Sequence, residues 1–252
     1  MCRDADRATD GVRGMVANVS NAPVRSGAVE DATEVARAAV AFVKPRLRGV
    51  LHELAFPISL FAGGWTILRA PAGTARASAA VYAATLSACL GVSALYHRGH
   101  WSVPVRAWLR RLDHATIFML IAGTFTPIAV IALSGGLSIL TLAVVWGGAL
   151  LGSLLTTFWT DAPVVLEVGP YIAIGGFGVV LMPRLLGNIG PVGVGLLALG
   201  GAVYVAGAII YARRRPDPWP RTFGFHEIFH TLVLTAAALQ WIVITQWVLP
   251  VG

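Results

Sequence analysis

The chain has 252 residues, of which 56% are hydrophobic and only 12% charged, with a formal net charge of +7 and a mean hydropathy of +0.73. A soluble domain carries about 25% charged residues, so this composition excludes an ordinary globular domain and points to a polytopic membrane protein. The positive charge does not indicate nucleic-acid binding, because the arginines cluster between apolar runs, where they act as topology signals.

Residues 1–44 hold half of the acidic side chains and lack a long apolar run. A secretory signal needs a basic start followed by an apolar core of about 7–15 residues, and this segment has none. The expectation is a largely disordered cytoplasmic tail, within which 29–43 is patterned for an amphipathic helix on the membrane surface. Cys2 lies in this tail and Cys89 in an apolar run. Two cysteines are too few for a disulfide framework or a cysteine-based zinc motif.

From residue 45 onward the pattern is one of apolar segments long enough to span a bilayer, about 20 residues each. Seven are predicted, at roughly 50–69, 76–97, 113–134, 137–158, 164–183, 191–212 and 227–249. Breaks fall at Pro71 and Gly73, at Ser134-Gly135-Gly136, and at Asp161-Ala162-Pro163. Further breaks fall at Gly187, Gly190 and Pro191, and at Pro216, Pro218 and Pro220. The expected fold class is therefore all-α, a seven-transmembrane-helix bundle occupying 45–252. Glycine doublets inside the spans (Gly147-Gly148, Gly175-Gly176, Gly200-Gly201) read as close helix packing through small residues.

Basic residues set the expected orientation. Lys44, Arg46 and Arg48 precede the first span. Arg98, Arg106, Arg110 and Arg111 separate the second from the third, and Arg213, Arg214, Arg215 and Arg221 separate the sixth from the seventh. Loops on the other side hold only Arg69, Arg76 and Arg184. The positive-inside rule puts the N-terminus in the cytoplasm and the C-terminus outside a multi-pass cell-membrane protein.

Against this apolar background a few polar residues stand out. His97 closes the second predicted span, Asp113 opens the third, and His226 and His230 open the seventh. In the predicted topology all four lie at similar depth on the cytoplasmic side, although more than 110 residues separate the first two from the last two. Ionisable groups at such positions usually mark a functional site. His226 and His230 are four residues apart and share a helix face, as do Ser93 and His97. Three neutral imidazoles with an open fourth position form a catalytic zinc arrangement. Asp113 is then the group to orient a ligand or take a proton from water. Each residue alone has a plainer reading: an interfacial histidine, or, for Asp113, a cap at a helix N-terminus. Their joint placement favours the metal. His100 and His114 read as interfacial bystanders. His52 and Glu53 lie on the same side, either pairing with the arginines or shaping the site.

His226-Glu227-Ile228-Phe229-His230 also matches the H-E-x-x-H pattern of metalloproteases, with Glu227 as the base. Only 22 residues follow His230, and none is His, Asp, Glu or Cys. A third ligand must come from upstream, which argues against a protease and for His97. Glu227 stays a candidate for a supporting role, projecting about 100° around the helix from His226.

Four blocks together resemble the hemolysin III branch of the progestin and adipoQ receptor (PAQR) family. They are Ser93-Ala94-Leu95-Tyr96-His97, Leu112-Asp113-His114-Ala115-Thr116-Ile117-Phe118, Ile121-Ala122-Gly123-Thr124-Phe125-Thr126-Pro127 and Phe223-Gly224-Phe225-His226-Glu227-Ile228-Phe229-His230. The stretch from Arg46 to Glu53 is similar too, and the resemblance runs from about residue 44 to the end. It implies a seven-helix bundle with a zinc ion near the cytoplasmic face, ligated by His97, His226 and His230, with Ser93 and Asp113 close by. It also implies kinship with ceramidase-like lipid hydrolases. The expected function is zinc-dependent hydrolysis of a lipid amide or ester, with membrane lipids as partners. The alternatives are a membrane-homeostasis sensor or receptor-like protein with structural zinc, and, less favoured, a pore-forming cytolysin.

Overall fold

A computed structural model describes residues 44–159 and 163–251. The patterned segment 29–43 of the tail lies outside the described residues. Pro45–Gly252 forms one compact unit. Its helices are α1 (Val50–Arg69), α2 (Thr74–Arg98), α3 (Val103–Pro127), α4 (Gly135–Phe158), α5 (Val164–Arg213) and α6 (Phe225–Val243). No strand occurs among the described residues; a single antiparallel bridge joins Trp219 and Phe223.

Six helices are long and apolar enough to cross a membrane. Their outer faces are greasy: Phe61 and Phe158 are each 81% exposed, Leu68 78% and Leu151 71%. A water-soluble bundle turns a polar face outward, so these side chains need lipid around them. Inside, three clusters form the core, centred on Tyr82, Leu86 and Leu90, on Leu181, Leu185 and Val243, and on Phe118, Val145 and Ala149. Glycines let the backbones approach, as the sequence leads one to expect. A Cβ on Gly63 would sit 2.8 Å from the Ala83 Cβ, and one on Gly148 2.9 Å from Ile174. Side chains on Gly123 and Gly152 would collide with Thr85 and Phe118.

Two boundaries differ from expectation. The third span was expected to open at Asp113, but α3 begins at Val103 after Ser102, with Pro104 in its first turn, where a missing N–H costs nothing. With the π-helical turn Ile128–Ala132 it spans 30 residues, about 45 Å at 1.5 Å per residue, well beyond a hydrocarbon core of about 30 Å. Asp113 thus lies almost three turns inside the helix, and the capping role is excluded.

The second difference concerns 184–190, read as a loop. The helix runs on through Gly187 to Ile189, and only Gly190 leaves helical geometry, at φ 69° and ψ 173°. Before it, Tyr171 packs on Phe118 and donates to the His114 carbonyl, Gly178 adjoins Phe125, and Asn188 donates to the Ala132 carbonyl at 2.6 Å. This arm follows α3 in the same direction. After Gly190 the order inverts: Gly193 adjoins Trp247, Gly200 adjoins Gln240, and Gly207 adjoins Leu232 and Phe229, so this arm runs against α6. Polar side chains serve the irregular backbone at this end, as an apolar setting requires: Ser138 donates to the Ala129 carbonyl as Asn188 does to Ala132.

The Gly190 conformation is one that essentially only glycine adopts, at a cost of about 1–3 kcal/mol for other residues. A Cβ at Gly190 or at Gly187 meets nothing within 4 Å, so substitution tests backbone preference alone. Gly190→Ala is expected to lower the unfolding midpoint in detergent, while Gly187→Ala, inside regular helix, is expected to leave it unchanged or raise it. Equal effects at both positions, measured by thermal denaturation, would contradict the assignment of the break.

Candidate metal centre

The last turn of α2 and the first turns of α6 meet at one end of the bundle. His97 and His226 approach with their Nε2 atoms 3.2 Å apart. His97, His226 and His230 each place a ring nitrogen within 4.8 Å of the others. Their ring centroids are 4.9, 5.2 and 4.6 Å apart in the three pairings. His97 and His230 are buried and His226 half-buried. The four-residue spacing of His226 and His230 stacks them on one face of α6, one turn apart, as the sequence leads one to expect.

These residues fit a zinc ion by the chemistry of the donor set. Tetrahedral zinc with Zn–N of about 2.0–2.1 Å places neighbouring nitrogens about 3.3 Å apart, and the His97–His226 separation already matches. Neutral imidazole is a preferred zinc donor, although it also suits copper, iron and nickel. The three histidines can therefore hold one metal ion, whose identity the donors alone do not choose.

Asp113 approaches the cluster from α3, its Oδ2 3.5 Å from His97 Nε2. Its carboxylate also interacts with the hydroxyl of Ser93, which is buried one turn before His97 on α2. Ser93, His97, His226, His230 and Asp113 are thus brought together from three helices. His100 is exposed and outside the cluster. His114 is half-buried beside Asp113 and outside the ligand group.

Glu227 is almost fully buried, and both of its oxygens are engaged. Arg48 Nε donates to Oε1, and the Gly224 backbone N–H donates to Oε2 at 2.8 Å. The second contact satisfies the backbone N–H of the residue that precedes α6, the glutamate half of a capping box. Asp217 adds a bond from the Phe225 N–H at 3.0 Å. Glu227 thus anchors the ligand-bearing helix, in keeping with its expected supporting role.

Residues left open or overlooked in the sequence prove close to the cluster. His52 lies flat on His230, with centroids 3.9 Å apart and planes 7° from parallel. Glu53 accepts from Arg98 at 2.7 Å. Arg48 reads in the sequence as a topology signal, and Arg48 and Gly49 both fall in the family-like stretch Arg46–Glu53 with no role of their own. Gly49 caps α1 at φ 81° and lies so close to His97 that a Cβ there would strike the His97 Cβ. The one sequence signal for it was a glycine between a basic group and the first apolar run.

A long-helix bundle with an apolar exterior and a histidine cluster at one end defines a polytopic membrane protein with a candidate metal centre. The haemolysin III-related family pattern matches residues 40–241, and the chain belongs to that family. It is 32% identical over 180 residues to Hemolysin-3 of Bacillus cereus, covering 71% of this chain and 79% of that protein. It is also 32% identical over 130 residues to a Hemolysin-3 homolog of Bacillus subtilis (strain 168), covering 52% and 58%. An adiponectin receptor protein of Drosophila melanogaster is 29% identical over 181 residues, covering 61% of this chain and 38% of that one. These similarities bear out the expected hemolysin III/PAQR kinship and a multi-pass membrane protein.

If the cluster holds metal, His97→Ala, His226→Ala and His230→Ala should each remove stoichiometric metal from protein purified in detergent, and His100→Ala should not. Elemental analysis decides this, and full metal content in His230→Ala would overturn the assignment.

Proposed function

We propose that the protein is a zinc-dependent hydrolase of a lipid amide or ester, working at the cytoplasmic face of a seven-span bundle. The observation that carries this reading is the placement of three imidazoles and the Asp113 carboxylate together at one end of an apolar bundle. Several features support the topology. The arms of α5, 164–189 and 191–213, are about 39 and 35 Å long at 1.5 Å per residue and run in opposite directions about Gly190, so α5 crosses twice. Arg46, Arg48, Arg98, Arg110, Arg213 and Arg221 are concentrated towards the histidine-bearing end, which favours a cytoplasmic location for that end and for the N-terminus.

His97, His226 and His230 would hold the zinc, which supplies Lewis acidity, polarising a carbonyl and making water acidic enough to attack at neutral pH. Asp113, with its Oδ2 3.5 Å from His97 Nε2, would serve as the proton acceptor. Its Oδ2 takes a proton from the attacking water and returns it to the departing amine or alkoxide oxygen. The water oxygen forms the new bond to the carbonyl carbon, and the C–N or C–O bond breaks to release an acid and an amine or alcohol. Ser93, buried one turn before His97, would steady the Asp113 carboxylate through its hydroxyl. Burial of His97, His230 and Ser93 limits bulk water around the reacting atoms. The exposed apolar flanks of the helices would face bilayer lipid, the substrate class of this reading.

Asp113→Asn is expected to lower lipid hydrolysis by about 10²–10⁴-fold while leaving zinc content and unfolding midpoint near wild type. The assay uses purified protein with ceramides and phospholipids in mixed micelles. Undiminished turnover in Asp113→Asn would remove Asp113 from the chemistry. Wild-type protein that binds zinc, loses stability on chelation and turns over no lipid would instead support the sensor reading.

A further inference from the structure

The imidazoles of the cluster come from α2 and α6. The first helix, α1, supplies none of the three but touches both of these helices. Four consecutive features at the start of α1 reach both ligand-bearing elements. Arg48 donates from its Nε to buried Glu227, the residue between the two α6 histidines. Gly49 abuts the Cβ of His97. His52 lies flat on His230. Glu53 accepts from Arg98, the residue after His97. Just upstream, the Arg46 and Leu47 amides donate to the carbonyls of Arg221 and Thr222, in the turn that leads into α6.

We propose that residues 46–53 form a bracket that sets the separation of the α2 and α6 ligands, with Arg48 and His52 as positioning residues. The physical case rests on what each contact fixes. A buried carboxylate is tolerated only when paired, so Arg48 locks Glu227, and through its bond to the Gly224 N–H it locks the first turn of α6. The left-handed cap at Gly49 lets the chain turn against His97 without a side chain in the way. A flat imidazole on one face of His230 fixes that ring's plane, which a metal–nitrogen bond needs. Groups outside the ligand set that orient ligands in this manner typically change metal affinity by about 10–100-fold when removed. The Glu53–Arg98 pair is exposed, and exposed pairs contribute little, so it is the internal control.

This inference rests on the metal reading of the three histidines, and the experiment separates the two. Zinc affinity of the purified full-length protein is measured by competition with a chromogenic chelator. Arg48→Ala and His52→Ala should each weaken binding about 10–100-fold. His52→Phe, which keeps a flat ring, should recover most of the loss, and Glu53→Gln should stay within about two-fold of wild type. Should Arg48→Ala fail to fold, Arg48→Lys keeps the charge without the planar fork and should show a smaller loss of the same kind. Hydrogen exchange of the metal-stripped proteins supplies the readout independent of zinc. The amides of Leu47 and Gly224 should be protected in wild type and unprotected in Arg48→Ala. Wild-type affinity in both alanine variants, with unchanged exchange, overturns the bracket. If wild type binds no zinc the metal reading fails, and exchange alone decides: loss of protection in Arg48→Ala supports the bracket and retained protection overturns it.

Discussion

Everything at the polar end of this bundle depends on one close approach, the 3.2 Å between the Nε2 atoms of His97 and His226, residues 129 apart in the chain. Two ring nitrogens that near one another are compatible only with a shared proton or a shared cation. Holding them there constrains the ends of α2 and α6 to a common level, and that constraint propagates. α2 must pack closely along α1 and α3, which the Gly63, Gly91 and Gly123 contacts allow. α6 must start at a defined height, which the Glu227–Gly224 and Asp217–Phe225 bonds secure.

The apolar exterior imposes the second constraint. Backbone groups at membrane depth need internal partners, so nearly all of the described chain is helical. Where it is irregular, side chains step in. At the far end from the histidines, α3 and α6 both finish in π-helical turns, and the Ala129 and Ala132 carbonyls are served by Ser138 and Asn188. The polar chemistry is thereby concentrated at one end and the backbone adjustments at the other.

Periodicity and hydropathy made the helical class legible, the spacing of His97, Asp113, His226 and His230 with the order of the spans made their convergence legible, and the family was legible through the resemblance of four sequence blocks. What stayed hidden is physical in origin. The start of α3 was missed because 103–112 mixes exposed tryptophan, valine and arginine, a pattern hydropathy reads as loop although it forms regular helix. The helical run of the first α5 arm through 184–189 was missed because Gly187 and Pro191 read as a linker. Gly187 is accommodated within the helix, and a proline just after Gly190 begins the next arm, where it needs no N–H partner. Arg48, Gly49 and His52 were missed or left undecided because their roles depend on contacts with residues far away in sequence, which no spacing rule encodes.

The H-E-x-x-H string shows how little a motif says without its surroundings. Two histidines one turn apart present a metal pair wherever they sit on a helix. The glutamate between them points about 100° away from His226, so its role is set by what occupies that direction. In the metalloprotease use of the string the glutamate serves as base. Here that direction holds Arg48 and the start of α6, both oxygens of Glu227 are taken, and the residue becomes an anchor. A carboxylate committed through both oxygens to a guanidinium and a backbone N–H is occupied by the contacts that make its burial tolerable. The hydrolytic function proposed above would therefore draw on a second carboxylate from a different helix, and Asp113, inside α3 with its Oδ2 3.5 Å from His97 Nε2, is the one at hand.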